Sequence, residues 1–315
     1  MSLRTSTSPP LAAQDHLKEA PSRHHLWQRI SPYLYIGPAV IYLVVFMIIP
    51  VIQGLRLSFT RTPLVKPDGG TEVGLDNYTR LLSSSQFYNS LGATLLYTAA
   101  TVLIAVAIGG GAALLLNRAF KGRTIVRAII TFPWAVPTVA TALIFSWIFN
   151  RSDGVLNEVV GVMGVGQQGW LVDPKYGMAA VVLTSVWKVM PLVMLVVLAS
   201  LQSIPGELYE ATRMDGAGAL ETFKAVTWPH IAPTVRVVTL LMTIWSIRRF
   251  EIIYLLTGGG PVDSTNTLVV NVYRQAFSNQ ELGRAAAIGA LGLVLSLLVT
   301  VVYFIIERRN TAKEA

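Results

Sequence analysis

The 315 residues are 53% hydrophobic and only 13% charged, with a mean hydropathy of +0.54, too apolar for an ordinary soluble domain. The net charge of +8 does not point to nucleic acid, because the basic residues flank apolar runs instead of forming a stripe interleaved with aromatics. No cysteine is present, which excludes disulfides, thiolate metal ligands and cysteine nucleophiles.

Residues 1–30 read as a polar, irregular tail carrying Arg4, Lys18, Arg23, His24, His25 and Arg29. No cleavable signal peptide is evident, since the first apolar run begins near Tyr33 and is long enough to span a bilayer. His24 and His25 have no third ligand at useful spacing and read as solvated. Trp27 and Tyr33 fit interfacial anchors.

Six apolar runs follow, each near the roughly 20 residues that a bilayer core requires, at about 33–54, 91–116, 128–149, 179–200, 235–257 and 283–306. The expected fold is therefore an all-α polytopic membrane protein with both termini on one side. Arg118, Lys121, Arg123 and Arg127 crowd the second connector, and Arg308, Arg309 and Lys313 follow the last run, whereas 150–178 and 258–282 are poor in basic residues. By the positive-inside rule the termini and the loops 117–127 and 201–234 lie in the cytoplasm. The segment 55–90, with Arg56 and Lys66, dissents and is outvoted.

Breakers interrupt several runs: Pro38, Pro50, Gly109-Gly110-Gly111, Pro133, Pro137 and Pro191. Within hydrocarbon a broken helix needs protein or a water-filled path to satisfy its freed backbone groups. The glycine triplet reads first as close helix packing. Charges inside the runs carry the sharper signal. Lys188 lies about 15 Å into the fourth run and Arg248 and Arg249 about 20 Å into the fifth. An unpaired cation at such depth costs at least ~2.5–3.5 kcal/mol on insertion scales. Arg248 has Glu251 at i,i+3 as a candidate ion-pair partner, Arg249 shares a face with Trp245 and lies near Ser246, and Lys188 has only Thr184 and Ser185 within a turn.

The most polar island is 204–233. Pro205 suits a helix start, Gly216 suits the left-handed residue that ends one, and a second short helix through Phe223 to Trp228 is expected to stop at Pro229. Small residues Ala211, Gly216, Ala217 and Gly218 allow another surface to approach the bend. Glu207, Glu210, Arg213 and Asp215 supply charge for such a contact. Taken alone, the spacing is also that of a plain helix-turn-helix connector.

The run Glu210-Ala211-Thr212-x-x-Asp215-Gly216-Ala217, then Phe223, Val226, Trp228-Pro229 and Pro233, resembles the E-A-A…D-G-A…F…I-x-L-P…P signature of ABC importer permeases. It departs from that signature at Thr212, Val226 and Trp228. Phe132-Pro133-Trp134-Ala135-Val136-Pro137, Trp187-x-x-x-Pro191 and Thr257-Gly258-Gly259-Gly260-Pro261, with Thr265, Thr267, Tyr273 and Gly283 beyond, are similar to the first permease of maltose- and glycerol-phosphate-type carbohydrate importers. The resemblance covers about residues 30–306.

It implies the type I permease fold, a permease domain over 31–309 with a short tail at 310–315, and a coupling loop at 201–234 docking on an ATPase. It further implies a second homologous permease, two ATP-binding subunits that hold Mg-ATP, an extracytoplasmic solute-binding protein, and a place in the bacterial or archaeal inner membrane. Nothing in the chain matches G-x-x-x-x-G-K-[ST], so it is not itself the ATPase, and no catalytic constellation or cofactor site is visible. Motif position assigns substrate contact to Lys188, Trp245, Ser246 and Arg249. Two cations in a sugar pocket point to an anionic sugar. The competing reading pairs them with carboxylates of the other permease or with backbone carbonyls. An ion-coupled secondary carrier is the alternative class, since broken helices and buried charges occur there too.

Overall fold

In the computed structural model residues 23–164 and 166–314 are described, with side-chain surroundings for 33–164 and 166–308. The tail residues Arg4 and Lys18, and the side chains of Arg23, His24, His25, Trp27, Arg29, Arg309 and Lys313, lie outside that description. The chain divides into two units, Met1–Gln53 and Gly54–Ala315.

In the first unit α1 (Arg23–Leu43) starts earlier than the apolar run requires, passes Pro38 unbroken, and is followed by a π-helical turn at Val44–Ile48. The next helix, α2 (Ile49–Leu57), has Pro50 as its second residue. Tyr35, Phe46 and Met47 are exposed, as expected of a lipid-facing or partner-facing span.

The second unit continues with a hairpin of β1 (Thr60–Arg61) and β2 (Thr71–Glu72), then α3 (Asp76–Leu82) and α4 (Ser85–Asn117). A bent pair follows, α5 (Arg123–Ala135) and α6 (Thr138–Ile148), then α7 (Val155–Val162) and α8 (Pro174–Gln202). The polar island holds α9 (Gly206–Met214) and α10 (Ala219–Thr222), which leads through a second π-helical turn, Phe223–Thr227, into α11 (Trp228–Ile247). The chain closes with α12 (Glu251–Thr257), α13 (Leu268–Tyr273) and α14 (Leu282–Glu314). Among the described residues five helical stretches are long and apolar enough to cross a membrane, and the α5–α6 pair, bent by 100°, makes a sixth when counted as one span.

Side-chain register settles how these helices run. Tyr97 of α4 meets Ser185 of α8, and further along both helices Gly109 lies against Met190 and Val193, so α4 and α8 are parallel. The chain between them must therefore return across the same thickness, and α5–α6 is the apolar stretch that does so. Thr234 near the start of α11 donates to Ser200 near the end of α8 at 3.1 Å, making those two antiparallel. Beyond α12, Pro261 and Thr265 reach Gly177 at the start of α8. Arg236 of α11 pairs with Glu307 of α14 at 2.8 Å, which brings the end of α14 to the side of the polar island.

The core lies where α4, α8, α11 and α12 meet, with Tyr97, Val181, Val193, Met194, Met242, Ile252 and Ile253 almost fully buried. On the side away from the polar island, Asn157 gathers the loop after α6. Its amide donates to the carbonyls of Asn150, Arg151 and Gln168 and accepts from Gln168 N–H and Trp170 Nε1.

Several breakers act differently from the expectation. Pro191 sits inside a continuous α8, and the glycine triplet sits inside a continuous α4. Of the three glycines, Gly109 alone is packed: a Cβ there would lie 2.8 Å from Val193 Cβ and 2.9 Å from the Met190 carbonyl, while Gly110 and Gly111 face open space. Pro229 does not stop a helix. The π-helical turn hands the Trp228 N–H to the Phe223 carbonyl, and the helix runs on with Pro229 in its first turn, where a missing N–H is tolerated. Conversely, the fifth apolar run breaks at Arg248–Phe250, where no proline or glycine marks it.

Candidate functional site

The polar island forms an exposed elbow between α8 and α11. Pro205, extended at ψ 133°, caps α9. The helix ends in a Schellman motif: Gly216 takes φ +75°, its N–H donates to the Arg213 carbonyl at 3.1 Å, and the Ala217 N–H donates to the Thr212 carbonyl at 3.0 Å. The Gly218 N–H then donates to Glu221 Oε2 at 2.7 Å and opens α10. Inward, the Tyr209 hydroxyl lies 3.2 Å from Thr227 Oγ1, and Leu201 and Ile204 anchor in the core. Outward, Glu207, Glu210, Ala211, Arg213, Asp215, Gly216 and Gly218 are exposed and Ala217 is half-buried. Met214 and Leu220 are 84% and 65% exposed. The result is an apolar tip ringed by charges that form no ion pair among the described residues, on a stiff, capped support.

The intramembrane cations meet different surroundings. Lys188, midway along α8 and 8% exposed, points at the end of α5. Its ammonium donates to the carbonyls of Pro133 at 3.3 Å and Trp134 at 3.0 Å, and to that of Val136. The need for this contact is written locally. Pro137 has no N–H to offer the Pro133 carbonyl four residues back, and the bend strands the others. A cation at a helix C-terminus also meets the negative end of the macrodipole. With its three N–H donors directed at three carbonyls, Lys188 is engaged by backbone, as the competing reading of its charge expects.

Arg248 and Glu251 form no ion pair among the described salt bridges. The helix ends at Ile247, so the i,i+3 geometry that would align them is lost, and both side chains are exposed. Arg249 is half-buried, with Nε buried and lacking a hydrogen-bond partner, and it is close enough to act electrostatically on Lys188 and Tyr97. Ser246 is buried. Trp245 is 46% exposed and opens on an apolar pocket of about 440 Å³ between α8 and α11, shared with Leu192, Val196, Pro233, Val237 and Leu241. Lys188, Ser246 and Arg249 do not line that pocket. Among the described residues no group of His, Cys, Asp and Glu could hold a metal ion.

Sequence reasoning named backbone carbonyls as one competing partner for Lys188 but did not locate them at the end of α5. The signal that finds them is the Pro133-x-x-x-Pro137 spacing, which strands a carbonyl inside an apolar run.

Residues 105–312 match the family described as the binding-protein-dependent transport system inner membrane component. The chain belongs to that family. This inner membrane component is thus a permease subunit of an ABC transporter, and the ion-coupled alternative is not favoured. It is 38% identical over 276 residues, 88% of this chain and 93% of the relative, to the trehalose/maltose transport system permease protein MalF of Thermococcus litoralis. It is 35% identical over 283 residues, 90% and 92% of the two chains, to the sulfoquinovosyl glycerol transport system permease protein SmoG of Agrobacterium fabrum. A crystal structure of a bacterial ABC transporter involved in the import of the acidic polysaccharide alginate matches with a TM-score of 0.79 at 24% identity, covering 90% of this chain and 99% of that one. That likeness establishes the type I importer permease fold for this inner membrane component.

Proposed function

We propose that this permease subunit forms half of the pathway of an ATP-driven importer for a carbohydrate or sugar derivative, passing it on chemically unchanged. Its partners are a second homologous permease, two ATP-binding subunits that carry Mg-ATP on the side of the elbow, and an extracytoplasmic solute-binding protein. The observation that carries this reading is the elbow: an exposed, charge-ringed tip, stiffened by the Gly216 Schellman motif and joined to α8 through the three residues 203–205 and to α11 through α10 and the π-helical turn. Such a part can be gripped by a separate motor and can tilt the spans as rigid bodies. Two relatives with names for trehalose/maltose and for sulfoquinovosyl glycerol support sugars as the substrate class.

Within the wall, Trp245, Ser246 and Arg249 are assigned to substrate. An aromatic face stacks on a sugar ring, and the guanidinium, with its buried Nε lacking a partner, suits a sulfonate, phosphate or carboxylate. With Lys188 occupied by carbonyls, the anionic-sugar reading rests on Arg249 alone.

The deciding experiment reconstitutes the complex in vesicles with the binding protein outside and nucleotide inside. Uptake should require ATP and the ATPase subunits, and Glu210→Arg or Gly216→Trp should release or uncouple them. Steady uptake by this chain without nucleotide or motor would end this reading.

A further inference from the structure

We propose that Lys188 is a positioning residue for transport: its ammonium latches the α5–α6 bend onto α8, so that displacement of the elbow is delivered to the outer half of the pathway wall. This inference rests on the importer reading above. Two consecutive residues of α8 grip the two sides of the bend. Lys188 holds the last carbonyls of α5, and Trp187 packs edge-on against Phe145 of α6, ring centroids 5.2 Å apart. The bend itself is tight, at 100°, and sits opposite the midpoint of α8, the level at which a freed carbonyl has neither water nor helix to pair with.

Below the latch, α8 runs without interruption to Gln202, three residues before α9. Above it, α6 packs on α12, the short helix beyond the break that carries Arg248 and Arg249. A single uninterrupted helix therefore runs from the chain segment before the elbow to both broken spans, and the ammonium is its bond to the first of them. An apolar residue at 188 leaves α5 free to slide or straighten while α8 still moves.

The test uses the assembled complex, its other subunits made cysteine-free, with spin labels on cysteines introduced at Ile125 of α5 and Leu143 of α6. Both positions are exposed, and the native chain has no cysteine of its own. The native complex should give one narrow distance. Lys188→Met should broaden or lengthen it and cut ATP-driven uptake about tenfold while ATP hydrolysis stays within about twofold of native, the size of an ordinary coupling loss. Lys188→Arg should keep most of both.

Unchanged distance and uptake in Lys188→Met overturn the proposal, and so does a parallel loss of uptake and hydrolysis in a variant that assembles. If Lys188→Met fails to assemble, Lys188→Met with Pro137→Ala decides. The alanine lifts the restriction that a proline places on the residue before it, so Val136, now extended at ψ 133°, can turn helical and α5 can run on until the 137 N–H meets the Pro133 carbonyl. Assembly should then return with uptake still low, and continued failure to assemble refutes the latch. Absence of ATP-driven uptake in the native complex would refute the importer reading instead, while the label distance, measured without nucleotide, still reads the latch.

Discussion

The hydroxyl of Tyr97, in a side chain wholly buried, donates to Ser185 Oγ at 2.8 Å and ties the middle of α4 to the middle of α8. Interhelical hydrogen bonds in bilayers contribute about 0.6 kcal/mol on average and up to about 1.7 kcal/mol. Tyr97→Phe keeps the ring and removes only this bond, so it should lower stability in detergent by that amount with uptake largely intact. Thermal unfolding of the purified complex measures it.

The glycine triplet offers an internal contrast. Gly109→Ala would press a methyl group on Val193 and on the Met190 carbonyl, and backbone cannot rotate away. Overpacking of this kind costs about 1–3 kcal/mol. Gly110→Ala and Gly111→Ala meet nothing and should stabilise α4 by about 0.5–1 kcal/mol through helix propensity. Expression level and melting temperature of the three single variants should therefore split one against two.

At the elbow, Gly216 holds φ +75° with no neighbour within 4 Å of the missing Cβ. The obstacle to Gly216→Val is thus conformational, about 1–3 kcal/mol for a branched residue in that region. Because the spans are untouched, the variant should insert normally yet lose retention of the ATPase subunits on affinity purification. Gly206→Ala, in open space at an ordinary φ, serves as the control and should retain them.

Arg249→Gln should cut uptake of an anionic sugar about tenfold to a hundredfold, the equivalent of the ~1.5–3 kcal/mol of a charge-assisted hydrogen bond, and leave a neutral analogue unaffected. Equal losses for both substrates would remove charge recognition from Arg249. Screening the cognate solute-binding protein against neutral and acidic sugars supplies the substrates to compare.

The parts of this molecule that were legible in the sequence are those whose cause is local. The elbow is an example: Pro205, Gly216 and the small residues after it act through their own backbone preferences, and the helix ends where those preferences place it. The third span bends where Pro137 removes a donor. The rest was set by contacts far along the chain. Nothing in Ser246-Ile247-Arg248-Arg249-Phe250 breaks a helix by propensity, yet α11 ends there, and α12 is packed instead on α6 and α8. Pro191 would interrupt an isolated helix, but α8 is enclosed by the core and stays helical through it. The partner of Lys188 lies more than fifty residues earlier, beyond any reading of one helix face, so its charge was legible and its job was not.

The π-helical turn at Phe223–Thr227 sets a phase as well as accommodating a proline. A wide turn of this kind takes in one surplus residue while the helix on either side keeps nearly the bearing and rise it would have without it. The exposed face of α10 is thereby held at a particular azimuth relative to the faces of α11. Closing the turn into ordinary α-helix with all its residues kept would leave both helices intact and swing the tip by roughly 100°, to the wrong compass point.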